Sequence, residues 1–100
     1  MSAADRAAVL SLLRAHRQRL AEGFGAHELG VFGLAARDEM RADSDVDVLV
    51  EFVEAPSYDA YFGLKDALEQ LLGRRVDLVT TSGLKPRARI AVEKDLIRVA

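Results

Sequence analysis

The sequence predicts an α/β (α+β) domain: one small mixed β-sheet with flanking helices. Segments with apolar residues at helical spacing alternate along the chain with short β-branched runs. The clearest of those runs alternates strictly. Val46, Val48, Val50 and Phe52 fall on one face, and Asp45, Asp47, Leu49 and Glu51 on the other. Size agrees, because 100 residues, half of them apolar, can form a single domain over residues 1–100 with one core.

The elements follow in order. Ser2, Ala3, Ala4 and Asp5 have the composition of an N-cap with an acid in the first turn. Val9, Leu12, Leu13, His16 and Leu20 then recur at helical spacing until Gly23 and Gly25 stop the helix. Residues 29–32 form a short apolar run that predicts a buried strand closed by Gly33, and residues 34–43 leave room for a turn or two of helix. A strand is predicted over 45–52. Pro56 and Ser57 open a helix with Tyr61, Leu64, Leu68, Leu71 and Leu72 as its apolar stripe and Gly73 as its cap. Residues 75–80 predict a third strand, 86–94 a short helix after Ser82 and Gly83, and 96–99 a terminal edge strand.

Composition excludes several kinds of chemistry. With no cysteine there is no disulfide, thiolate metal site or cysteine nucleophile. No apolar run approaches the roughly 20 residues of a membrane span. The first residues lack the basic stretch and apolar core of a signal peptide, so the expected compartment is the cytoplasm. A net charge of −2 argues against binding nucleic acid through bulk charge. The local basic cluster of Arg74, Arg75, Lys85, Arg87 and Arg89 reads as solvated surface. His16 and His27 have no partner with metal-ligand spacing.

The carboxylates are more informative. Asp45 and Asp47 are two apart on a strand, so they leave one face about 6.6 Å apart along the backbone. Acids are depleted in strands and repel when paired, a cost that makes sense if a cation sits between them. Hard oxygen ligands of this kind suit magnesium. Asp77, between Val76 and Leu78 in the third strand, would join them if the two strands are neighbours. Three converging acids are the arrangement of a two-metal phosphoryl-transfer site, with ions roughly 3.5–4 Å apart. Asp43, Asp45, Asp47 and Glu54 also match acidic positions of an EF-hand loop, but Val48 occupies the position that must be glycine, and the segment is an apolar strand. Neither a Walker A nor a Gly-x-Gly-x-x-Gly pattern is present.

Three stretches together resemble the minimal nucleotidyltransferases, small members of the DNA polymerase β-like nucleotidyltransferase superfamily. They are Val31-Phe32-Gly33-Leu34-Ala35-Ala36-Arg37, then Ser44-Asp45-Val46-Asp47-Val48-Leu49-Val50-Glu51-Phe52, then Gly73-Arg74-Arg75-Val76-Asp77-Leu78-Val79. The resemblance implies the polymerase β-like fold, ATP as substrate and two Mg2+ ions. It gives Asp45 and Asp47 the role of holding both ions, and Asp77 that of holding the catalytic one and activating the attacking hydroxyl. It places Gly33, Leu34, Arg37 and Ser44 around the triphosphate. Leu34 stands where the family has a serine, so one hydroxyl donor is missing. Asp38 stands where a glycine is common and would add negative charge near an anion site.

The resemblance further implies a HEPN-domain partner, with AMP attached to a tyrosine of that toxin by this antitoxin. The chain shows no second domain for capturing a substrate, which suits a separate protein as acceptor. No membrane and no direct nucleic-acid contact are expected, and a homo-oligomer is left open. The alternatives are a family member that neutralises its partner by binding alone, and a plain metal-binding regulatory domain.

Overall fold

Asp5 starts the first helix. In the computed structural model, which describes residues 3–99, its side chain accepts from the Ala8 amide (2.9 Å) and α1 runs Arg6–Phe24. Ser2 lies outside the described residues. Gly25 ends α1 in the left-handed region (φ 74), its amide donating to the Ala21 carbonyl. The chain passes straight into β1, Ala26–Phe32, three residues earlier than the apolar run suggested. Those extra residues belong to the sheet because Ala26 is buried and Glu28 pairs opposite Glu51, with a register shift between 26 and 28.

The remaining elements are α2 (Gly33–Ala36), β2 (Val46–Phe52), α3 (Tyr58–Leu72), β3 (Val76–Thr80), a 3-10 turn (Thr81–Gly83), α4 (Pro86–Asp95) and β4 (Ile97–Arg98). Ser57 caps α3 by accepting from the Ala60 amide, and Gly73 (φ 65) closes it. Strand order is β3-β2-β1-β4. β1 pairs antiparallel with β2 and β4, whereas β2 and β3 are parallel. That parallel pair needs a crossover, and α3 supplies it.

One sheet face carries the core. Leu29 and Val31, Val46, Val48 and Val50, and Val76 and Leu78 meet Val9, Leu13 and Leu20 of α1 and Leu64, Leu68 and Leu72 of α3. Each such side chain, fully buried, contributes about 1.5–3 kcal/mol relative to exposure. The opposite face is more open, but it is not wholly wet as the alternation implied. Leu49 is buried there, because the 3-10 turn and α4 lie over the far half of that face. The near half, where β1 ends and β2 and β3 begin, is left for the acids.

Candidate active site

The β2–β3 register sets Asp47 directly beside Asp77, at the roughly 4.8 Å spacing of neighbouring strands. Asp45, expected as the first residue of the strand, lies just ahead of β2 and is near enough for its charge to act on Asp47. The adjacency of the two strands, on which the convergence depended, is therefore present, and it brings Asp47 and Asp77 together. Its electrostatic consequence is large. The Asp47 carboxyl is pushed up from 3.8 to about 6, first by partial burial, then by the charges of Asp77 and Asp45 and a hydrogen bond with Asp77. Asp45 is more exposed, and Arg75 Nε lies 3.3 Å from its Oδ1.

Gly33 follows β1 at the point where Phe32 pairs opposite Asp47. Its φ is +67, a region side chains disfavour. A Cβ there would also fall on the Asp47 Oδ2 atom. Two independent demands thus call for glycine, and they leave the Asp47 carboxylate against bare backbone.

The other expected triphosphate residues are differently engaged. Arg37 is close enough to lower the Asp47 pKa, yet its guanidinium is held by two acids: Nη1 lies 2.5 Å from Asp95 of α4, and Nε 3.3 Å from Glu39. Asp38 corrects the expectation of extra negative charge at the site. It sits at φ 61 and turns its carboxylate to the Arg6 amide at the start of α1 (3.0 Å). Ser44 Oγ accepts from the Arg41 amide (2.8 Å) and so closes the turn that leads into β2. Leu34 is 37% exposed and lies on α2 next to Gly33. The basic cluster is not uniformly solvated surface either. Arg74 donates to the carbonyls of Ala3, Arg41 and Ser44 and Arg89 to that of Thr81, whereas Lys85 and Arg87 are exposed and have no partner among the described residues.

The acids fit a magnesium site on chemical grounds. They are hard oxygen donors crowded enough to raise a carboxyl pKa, and only exposed arginines offset them. Among the described residues, the tightest metal-like set is a different one: His27, Glu28 and Glu51, whose ligand atoms lie within 4.8 Å of one another. Glu28 there is already paired with Arg98 at 2.9 Å. No described helix is long and apolar enough to cross a membrane.

The nucleotidyltransferase domain family matches residues 13–99, which include every residue discussed at this site except those ahead of α1's second turn. The chain belongs to that family. This nucleotidyltransferase is 47% identical over 89 residues to the protein adenylyltransferase MntA of Thermococcus cleftensis, covering 89% of this chain and 90% of the relative. A protein adenylyltransferase of Methanocaldococcus jannaschii is 41% identical over 92 residues, covering 91% and 94%. The solved structure of a minimal nucleotidyltransferase superposes with a TM-score of 0.73 at 45% identity, over 88% of this chain and 93% of that one. The MNT antitoxin complexed with a tri-AMPylated HEPN toxin of Shewanella oneidensis gives 0.66 at 17% identity, over 91% and 71%, and at that distance shares the fold. The activity class is nucleotidyl transfer.

Two participants had no sequence signal. Asp95 is 58 positions from Arg37 and meets it only because α4 returns over the sheet. Arg75 read as one member of a charge cluster, and its pairing with Asp45 depends on the strand register. Asp38 did carry a cue, since aspartate is among the few non-glycine residues that visit positive φ.

Proposed function

We propose that this nucleotidyltransferase is a magnesium-dependent protein adenylyltransferase. It moves AMP from ATP to a tyrosine hydroxyl of a HEPN-domain toxin in the cytoplasm, and so acts as that toxin's antitoxin. One observation carries the proposal: Asp47 is seated between the bare backbone of Gly33 and the carboxylate of Asp77 on the open face of the sheet. Backbone without side chains suits phosphate oxygens, and paired acids suit hard cations. The 47% identity to a protein adenylyltransferase supports the acceptor class.

In this reading Asp45, Asp47 and Asp77 hold two magnesium ions, which when bound neutralise charge on the triphosphate and the leaving group. Gly33 and the amides after it, with Arg37, bind the triphosphate, and Arg37 exchanges an exposed ion pair for phosphate. Ser44 fixes the turn that delivers Asp45. The phenol oxygen forms a bond to the α-phosphorus, and the bond from that phosphorus to the bridging oxygen breaks. Pyrophosphate leaves with the electron pair, and the phenol proton passes to Asp77 and on to water.

A second reading has its own observation. Leu34, exposed beside Gly33, offers no hydroxyl and suits an apolar contact, so the protein would neutralise its partner by binding alone. Incubating the protein with a HEPN-domain protein, ATP and magnesium, then weighing that protein, separates the two. The expected result is a gain of one or more AMP, abolished by Asp45→Asn with Asp47→Asn. A tight complex with no gain in mass would refute catalysis.

A further inference from the structure

Arg37 stands between two acids that hold it on unequal terms. Its Nη1 lies 2.5 Å from Asp95 Oδ2, and the Asp95 side chain is only 22% exposed. Its Nε lies 3.3 Å from Glu39 Oε1, and the Glu39 side chain is 59% exposed. Nη2 donates to nothing among the described residues. Resting on the reading in which Arg37 binds the triphosphate, we infer that Asp95 is a positioning residue and Glu39 a placeholder. Asp95 keeps its hold on Arg37 while phosphate is bound, and phosphate displaces Glu39.

Asp95 is set in place from behind. It ends α4, and Ile97 and Arg98 after it pair with Val31 and Gly30 of β1. A Cβ on Gly30 would fall 2.5 Å from Leu96 Cδ1, so bare backbone is what lets the end of α4 come this close to the sheet. An acid in the last turn of a helix meets the negative end of the helix dipole, where a base is favoured. Asp95 occupies that unfavourable place, and its charge is met by Arg37 instead. The main chain of Arg37 is held near the site as well, since its amide donates to the Gly33 carbonyl (3.1 Å).

An anchor on one edge of a guanidinium does not exclude phosphate from another. The N–H groups diverge in one plane, so an acid on Nη1 leaves Nη2 and Nε available. A free arginine side chain has much rotamer freedom to lose on binding, and Asp95 removes it before the nucleotide arrives. The guanidinium charge already reaches Asp47, where it partly offsets the rise in the carboxyl pKa. Glu39 differs in every respect that matters. Its contact is longer and more exposed, and exposed ion pairs are weak. Its amide donates to the Leu34 carbonyl (2.9 Å), so the acid belongs to the same loop as Gly33 and would repel a triphosphate there.

The test is calorimetric titration of the full chain and its variants with inorganic triphosphate and with ATP, each with magnesium. Asp95→Asn and Glu39→Gln each remove one negative charge near an anion site, so electrostatics alone would tighten binding in both. Opposite signs are expected instead. Glu39→Gln should tighten binding about threefold and Asp95→Asn should weaken it about threefold, while Asp95→Glu recovers part of that loss. Arg37→Ala should itself weaken binding about tenfold, and on that background neither Asp95→Asn nor Glu39→Gln should change the affinity. A merely structural loss at Asp95 would weaken binding whether or not Arg37 is present. Glu39→Gln, on an exposed side chain, keeps the inference falsifiable if Asp95→Asn fails to fold. The inference is overturned if Asp95→Asn fails to weaken binding, if Glu39→Gln fails to tighten it, or if either effect persists without Arg37. If Arg37→Ala binds both ligands as wild type does, Arg37 is not a triphosphate ligand, and that part of the site reading falls with the inference.

Discussion

Replacing Asp47 by asparagine should stabilise the metal-free protein. The Asp47 carboxyl has a folded-state pKa of about 6 against 3.8 for the free group, so folding favours its protonated form. The stability this group contributes is full below pH 3.8 and is lost as pH rises through about 6. Such a change corresponds to about 3 kcal/mol, and solvent screening of a half-buried carboxyl lowers that to about 1–2 kcal/mol. Asparagine keeps the shape, cannot ionise, and can donate its amide to Asp77. At pH 7.5 with a chelator the variant should therefore melt higher by about 4–15 °C. The difference should shrink towards zero near pH 4, where wild-type Asp47 is largely protonated. Adding magnesium should raise the melting temperature of wild type and close the gap, because a ligand that binds only the folded state stabilises it. Calorimetric scans at the two pH values, with and without magnesium, are sufficient. A variant less stable than wild type at pH 7.5, or an advantage that ignores pH, would refute the crowded-carboxylate account.

Two more predictions concern the loop beside that site. Gly33→Ala should cost about 1–3 kcal/mol in denaturant unfolding, because it forces a side chain into positive φ and onto the Asp47 carboxylate; an unchanged midpoint would show that the loop relaxes freely. Leu34→Ser should tighten ATP binding about tenfold by supplying one hydrogen bond to a charged oxygen, measured by calorimetric titration. If it instead loosens the complex with the partner and leaves ATP binding flat, Leu34 belongs to the protein contact.

Most of the fold was legible in the sequence because binary pattern and caps coincide. Val46, Val48 and Val50 point inward as their alternation requires, and Ser57 and Gly73 bracket α3 as their chemistry requires. The first residues of β1 were not legible: Ala26, His27 and Glu28 have no strand pattern, and they join the sheet only because β2 is there to pair with them. Leu49 was placed on the correct face, but its burial depends on a turn and a helix more than 30 residues later. In the site, the Asp45–Asp47 spacing was local and visible. Its meeting with Asp77 was conditional on strand adjacency, and the capture of Arg37 by Asp95 was invisible, because a contact between α2 and α4 has no local trace. The Asp38 side chain shows the limit of charge counting, since a carboxylate two residues from Ala36 ends up serving the start of α1.

Both ends of the described chain are knotted into the interior. Ala3 is 4% exposed, its amide donates to the Leu72 carbonyl (2.7 Å), and its own carbonyl receives Arg74. Val99 is 5% exposed, and its amide donates to the Leu29 carbonyl (2.9 Å). Chain ends in most domains fray and tolerate trimming. Here, cutting back to the first turn of α1 would empty a core position, unseat an amide and release the arginine that also grips the turns at Arg41 and Ser44, immediately ahead of the strand that carries Asp47. Shortening this protein from the front would loosen the end of the sheet where the acids gather, so affinity tags and fusions belong outside Ala3 and Val99 and should be joined through flexible spacers.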